Sequence, residues 1–133
     1  AYEVPLRLVG SEMCIRDRYA ILLPGDIEAR QEAELVANQA DNLRADILLA
    51  PHHGSGTSST VPFLRAVDPQ YALFQVGYRN RYRHPKQEVY DRYGALGISR
   101  LRSDDTGAIS LRFGQQMHVS DYRSEYARYW YGR

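Results

Sequence analysis

The sequence is poor in the features that would assign it to a special class. One cysteine among 133 residues, Cys14, has no internal disulfide partner, so a disulfide-stapled framework is excluded. No apolar run approaches the ~20 residues that a membrane-spanning helix needs, and the N-terminus lacks the pattern of a secretory signal. An excess of charge is missing too. Seventeen Lys and Arg against sixteen Asp and Glu leave a net +1, so no whole-chain field attracts nucleic acid or membrane, and partners must be argued from local patches. The initiating methionine is absent, and the abrupt "AYEVPLRLVG" opening is expected of a piece of a longer chain. What remains is the composition of one soluble globular domain, or part of one. Its 44% hydrophobic content suffices for a modest core.

One stretch breaks the pattern. "SEMCIRDR", residues 11–18, packs the only cysteine and mixed charges between two apolar segments, and it resembles a translated sequencing adapter. The alternative is an ordinary polar hairpin joining "VPLRLV" to "YAILLP"; Cys14 carries no functional weight under either reading. Three parts are therefore expected: an N-terminal segment over 1–18, a folded body over 19–119, and a helical tail over 120–133.

Apolar runs and their stops organise the body. "YAILLPGD" reads as a strand ended by Pro and Gly, with Asp26 just beyond it. "IEARQEAELVANQADNLRAD" carries apolar residues at helical spacing and predicts a helix from about Glu28 to Ala40. "DILLAPHHGSGTSST" then supplies a second buried strand whose pairing Pro51 ends, so that His52 and His53 open a Gly/Ser/Thr loop. Ser59 or Thr60 can cap a short helix, "VPFLRAV", with Pro62 in its first turn. "QYALFQV" is the next strand, "GYRNRYRHP" a loop, and "KQEVYDRYGAL" a helix closed by Gly97. "ISRLR", "SDDTG" and "AISLRF" read as a hairpin. The class is α/β.

Ligand-capable side chains thus gather in three loops at strand C-terminal edges, where α/β sheets bind ligands: Asp26, His52 with His53, and His84. A carboxylate and imidazoles are donors that Zn²⁺, Mn²⁺ or Fe ions use, and a carboxylate can bridge two of them. Each residue alone also suits a blander role, as a hydrogen-bonded loop histidine or a turn aspartate.

Taken together, "LLPGDIE…RADILLAPHHGSGTSSTVPFLRAVDPQYALFQVGYRNRYRHP" resembles the C-terminal half of the metallo-β-lactamase-like domain of ComEC-type DNA-internalisation competence proteins, over about Tyr19 to Phe113. The tail "DYRSEYARYWYGR" is similar to the end of proteobacterial members. The resemblance implies an αββα sandwich, of which this chain holds the C-terminal half, with two divalent metal ions, Zn or Mn, at the sheet edge. It makes Asp26 the bridging and catalytic aspartate and a histidine of His52-His53 a metal ligand. His52 is preferred because it lies nearer the rigid strand. His84 would sit beside the metals as a ligand or a phosphate-facing proton donor. The implied activity is phosphodiesterase or nuclease chemistry during DNA uptake, with single-stranded DNA as substrate and the membrane-channel portion of the same parent chain as partner, at the bacterial inner membrane. The family draws most of its ligands from an earlier HSDxDH motif, and nothing like it precedes Asp26. This chain alone is therefore expected to bind metal weakly and not to turn over. The alternatives are a metal-free domain that guides single-stranded DNA, or a hydrolase of the same fold acting on a small ester or nucleotide.

Further polar residues have two readings each. Ser55, Thr57 and Ser58, with Gly54 and Gly56, could offer hydroxyls and N–H groups to a phosphate, or serve a turn and helix cap. Arg79, Asn80, Arg81 and Arg83 with Tyr78 and Tyr82 form a pattern suited to phosphates and stacked bases, or a solvated loop. Tyr122, Tyr126 and Trp130 fall at i, i+4 and i+8, a spacing read as core packing of the tail helix. His118, far from these loops, reads as structural.

Overall fold

A computed structural model describes the backbone of residues 2–3, 12–16 and 19–126, with side chains described from residue 19 onward. The expected "VPLRLV" strand and Trp130 lie outside the described residues. Six strands form one mixed sheet in sequence order: β1 (Tyr2–Glu3), β2 (Glu12–Arg16), β3 (Tyr19–Leu23), β4 (Ile47–Leu49), β5 (Tyr71–Phe74) and β6 (Ser99–Arg102). The first three pair antiparallel, and β3 to β6 pair parallel. Parallel neighbours need crossovers, which are the helices α1 (Ala29–Gln39), α2 (Val61–Val67) and α3 (Gln87–Ala95).

Register places Leu22, Leu48 and Ala72 side by side on one sheet face. Leu35 of α1, Phe63, Leu64 and Val67 of α2, and Val89 and Tyr93 of α3 close over that row and Phe74 in one buried cluster. The α/β expectation therefore holds, with the helices gathered on this face. Burying each of these large side chains stabilises the fold by roughly 1.5–3 kcal/mol relative to exposure. On the opposite face, Leu49 and Leu73 line a cleft of about 540 Å³ closed by Ser103, Gly107 and Ile109.

Two local readings are corrected. "SDDTG" is not a hairpin turn. It forms a short helix, α4 (Ser103–Thr106), and sends β6 into the parallel sheet, while β7 (Ile109–Phe113) pairs antiparallel with β8 (Met117–Asp121). Arg102 grips Asp104 through two bonds of 3.0 and 2.7 Å, which folds the acidic stretch back as a helical turn. The tail, α5 (Tyr122–Tyr126), does not bury its tyrosines. Tyr122 and Tyr126 stack on one another at 5.1 Å and stay 45% and 59% exposed.

Candidate functional site

Parallel pairing of β3, β4 and β5 brings their three C-terminal loops to one edge, and with them every residue singled out there by the sequence. The loops are bonded to each other through their backbones. His52 N–H donates to Gly25 O at 2.9 Å, and Lys86 N–H to Gly54 O at 3.0 Å. Gly54 has a φ of +83°, and a Cβ there would lie 2.5 Å from Pro85 Cβ, so only glycine permits this approach of the histidine turn to the His84 loop.

Within the turn Pro51–Gly54 the two histidines are both left-handed, with φ of 49° and 55°. Non-glycine residues adopt this region at a cost, and here two successive residues do so. The result aims the two rings differently. His53 places Nε2 3.7 Å from Asp26 Oδ1, while its Nδ1 lies 2.7 Å from Gln75 O. A carbonyl only accepts, so Nδ1 carries a proton, and Nε2 is the ring atom left facing Asp26, where its lone pair could serve a cation. His52 turns to the other side. Its Nδ1 is buried 3.5 Å from Glu28 Oε1 and makes no hydrogen bond. Its ring meets His84 edge-on at 6.0 Å.

Burial, then the charges of Lys86, His52 and His53, push the His84 imidazole below its ordinary value. It is therefore mainly neutral near pH 7. Tyr82 stacks on its ring at 5.8 Å and 27°. Asn80 is spent on the loop itself: Nδ2 donates to His84 O at 2.8 Å and Gly77 O at 3.2 Å, and Oδ1 accepts from His84 N–H at 2.8 Å. The hydroxyls are spent likewise. Ser58 donates to Ile27 O at 2.7 Å, Thr57 to Glu28 Oε1 at 3.1 Å, and Ser55 Oγ lies 3.0 Å from Thr57 Oγ1. These four residues position the loops. Arg81 remains outward, its Cζ 4.8 Å over the Tyr82 ring and its Nη2 on that hydroxyl at 2.7 Å.

Two residues escaped the sequence reading. Glu28 joins the site through Thr57 and lies beside His52; its place two residues after Asp26 is the signal that could have shown it. Glu32, in the first turn of α1 and fully buried, accepts the Ser59 and Thr60 N–H groups at 2.6 and 2.7 Å and so caps α2 from another element. Only the tertiary fold reveals it.

These donors suit a divalent cation in kind. The 3.7 Å gap between His53 Nε2 and Asp26 Oδ1 is too long for a hydrogen bond. It is close to the roughly 3.3 Å that separates two donors sharing one tetrahedral ion at bond lengths of about 2.0–2.1 Å. Hydrogen bonding of the far ring nitrogen to a carbonyl is the usual support of a ligating histidine. In number the donors fall short: among the described residues no three His, Cys, Asp or Glu side chains form a group that could hold a metal ion.

No protein-family model matches the chain. Competence protein ComA of Neisseria gonorrhoeae is 40% identical over 111 residues, covering 84% of this chain and 16% of that protein. ComE operon protein 3 of Bacillus subtilis is 38% identical over 92 residues, 69% of this chain and 12% of that protein. An uncharacterized protein of Escherichia coli, YcaI, is 33% identical over 113 residues, 84% of this chain and 15% of its own length. The chain thus spans about a seventh of the length of these relatives. Homology to proteins named for competence runs along most of this chain and supports a ComEC-type competence family as its place.

Proposed function

We propose that this chain is the C-terminal part of a metal-dependent phosphodiesterase domain in a membrane-associated competence protein that handles DNA during uptake. The convergence of Asp26 and His53 at 3.7 Å, with the His53 ring fixed by Gln75 O, is the observation that carries the reading. Two divalent cations, Zn or Mn, completed by ligands from the longer parent chain, would supply activation of water and neutralisation of phosphoryl charge. Asp26 and His53 would hold them, and His52, whose buried Nδ1 makes no hydrogen bond, adds a second imidazole beside them.

The chain's own residues do the rest. The Gln75 carbonyl keeps the His53 lone pair outward by holding the proton on Nδ1. His84, neutral near pH 7, offers an N–H to a phosphate oxygen and a lone pair to a departing proton. Its ring is kept in place by Tyr82 on one side and by the Asn80 brace on its backbone. The preference for His53 over His52 follows from these directions. Proximity to the strand does not decide the matter, because the left-handed turn reverses which ring faces Asp26.

The test uses the parent chain carrying its upstream ligands, with metal content and DNA hydrolysis read on four variants. Asp26→Ala and His53→Ala should each remove metal and activity together. His84→Ala should keep most of the metal and slow turnover by roughly 10²–10⁴-fold. Full activity in both His52→Ala and His53→Ala would end the metal reading of this loop.

A further inference from the structure

The loop between β5 and α3 has a charge pattern that nothing in the proposed catalytic edge uses. Residues 77–86, "GYRNRYRHPK", hold three arginines and one lysine with no acid, in a chain whose net charge is only +1. Among the described residues no carboxylate lies within ion-pair distance of Arg79, Arg81 or Arg83. Uncompensated guanidinium groups on one short loop are a ready site for phosphates. Beside them stand two exposed large aromatic rings, Tyr78 at 72% and Tyr82 at 59%. Each lies under a guanidinium, Arg79 over Tyr78 at 5.3 Å and Arg81 over Tyr82 at 4.8 Å.

The planar groups touch in succession. Arg81 covers Tyr82, Tyr82 stacks on His84 at 5.8 Å and 27°, and His84 meets His52 at 6.0 Å. The loop is held in shape by the Asn80 bonds to both backbone atoms of His84. Arg79 and Arg83 are kept left-handed, at φ of 49° and 53°, which costs energy that a merely solvated loop has no reason to retain. An exposed Arg–Tyr contact is weaker than a nucleobase stacked on an aromatic ring, so a base can displace or cover the guanidinium while its phosphate takes the charge. A duplex hides its base faces and would find only the charges.

We propose that Tyr78 and Tyr82, with Arg79, Arg81 and Arg83, form a subsite for single-stranded nucleic acid that leads the backbone to the Asp26–His53 edge. The proposal deepens the phosphodiesterase reading and rests on it for the direction of the strand, but its test requires no hydrolysis. Fluorescence anisotropy on this chain, in chelator, would measure binding of a labelled oligothymidylate, an abasic backbone of equal length, and a hairpin duplex.

Tyr82→Ala and Tyr78→Ala should each weaken oligothymidylate binding by roughly 5- to 100-fold, and leave abasic-backbone binding within about 2-fold. Tyr→Phe at either position should restore binding, since the ring and not the hydroxyl is used. Replacing Arg79, Arg81 and Arg83 together by Ala should lower the slope of log affinity against log salt by about 2 for every single-stranded probe. Arg30→Ala, on the exposed face of α1, should bind as the wild type does, and binding read in chelator without turnover separates failure of this subsite from failure of the catalytic reading. Equal binding by the Tyr→Ala variants, no binding by the wild type, or duplex bound as tightly as oligothymidylate would each overturn the proposal.

Discussion

Replacing Glu32 with alanine should loosen the candidate site from the first turn of α1. The Glu32 carboxylate is fully buried, and its two oxygens accept the Ser59 and Thr60 N–H groups at 2.6 and 2.7 Å. Ser59 is itself left-handed at φ 63°, and its other polar atoms are bound as well: Oγ lies 2.8 Å from the Tyr93 hydroxyl, and O accepts from Arg92 at 2.7 Å. Without the carboxylate two amide groups lose their partners. At about 1–3 kcal/mol each the gross loss is about 2–6 kcal/mol. Part is returned, because burial, opposed by the bonds from Thr60 and Ser59, already holds this carboxyl above its ordinary value of 4.5. A net loss of about 2–4 kcal/mol is expected, read by urea unfolding followed by circular dichroism as a midpoint lower by on the order of 1–2 M. Glu32→Gln, which keeps one acceptor but turns an NH₂ toward the second amide, should lose about half as much. The pH dependence has a definite sign. With its folded value raised, the native state binds the proton more tightly than the unfolded chain, so this group's contribution is full below about pH 4.5 and falls as pH rises through the raised value. The deficit of Glu32→Ala should therefore be larger in acid than at neutrality. A loss under about 0.5 kcal/mol, or a deficit that grows with pH, would refute the reasoning.

Gly54→Ala should cost about 2–4 kcal/mol, since its Cβ would stand 2.5 Å from Pro85 Cβ at a φ of +83°; a melting temperature within about 2 °C of wild type would contradict the close approach. The left-handed histidines give a comparison between substitutions. His53→Gly should be more stable than His53→Ala by about 1 kcal/mol, because both lose the bond to Gln75 O but only glycine is free of the strain. The reverse order in paired urea titrations would refute it.

The strands, the helices and the edge at which Asp26, His52, His53 and His84 meet were legible because they depend on local signals. Buried runs stop at Pro or Gly, and parallel pairing then carries the stops to one side. Three features were not legible, for a common reason. The partner of β7, the cap from Glu32 and which histidine ring faces Asp26 are each decided by a residue far along the chain or by the sign of φ, and apolar periodicity reports neither. Alternation in "AISLRF" fits pairing with β6 or β8 equally well. Only the helical fold of "SDDTG", fixed by the Arg102 bonds to Asp104, removes β6 from the choice.

The polar residues of these loops have a division of labour that residue type alone conceals. Ser58 and Asn80 look as fit for a phosphate as any side chain here, yet all their bonding capacity that the fold reaches is turned on the backbone. Asp26, His53 and the three loop arginines show the opposite: charged or lone-pair groups left facing outward, held on backbone in strained left-handed turns at His52, His53, Arg79 and Arg83. Such strain persists only where the surroundings over-determine it, and the braces at Gly54, Ser59 and Asn80 are those surroundings. A loop serving only to connect β4 to α2 or β5 to α3 could relax by replacing these residues with glycine, at a gain of about 1 kcal/mol each. Stability is therefore being spent to hold imidazole and guanidinium groups at fixed directions along one sheet edge, which the proposed recognition of a phosphodiester backbone would require and a passive linker would not.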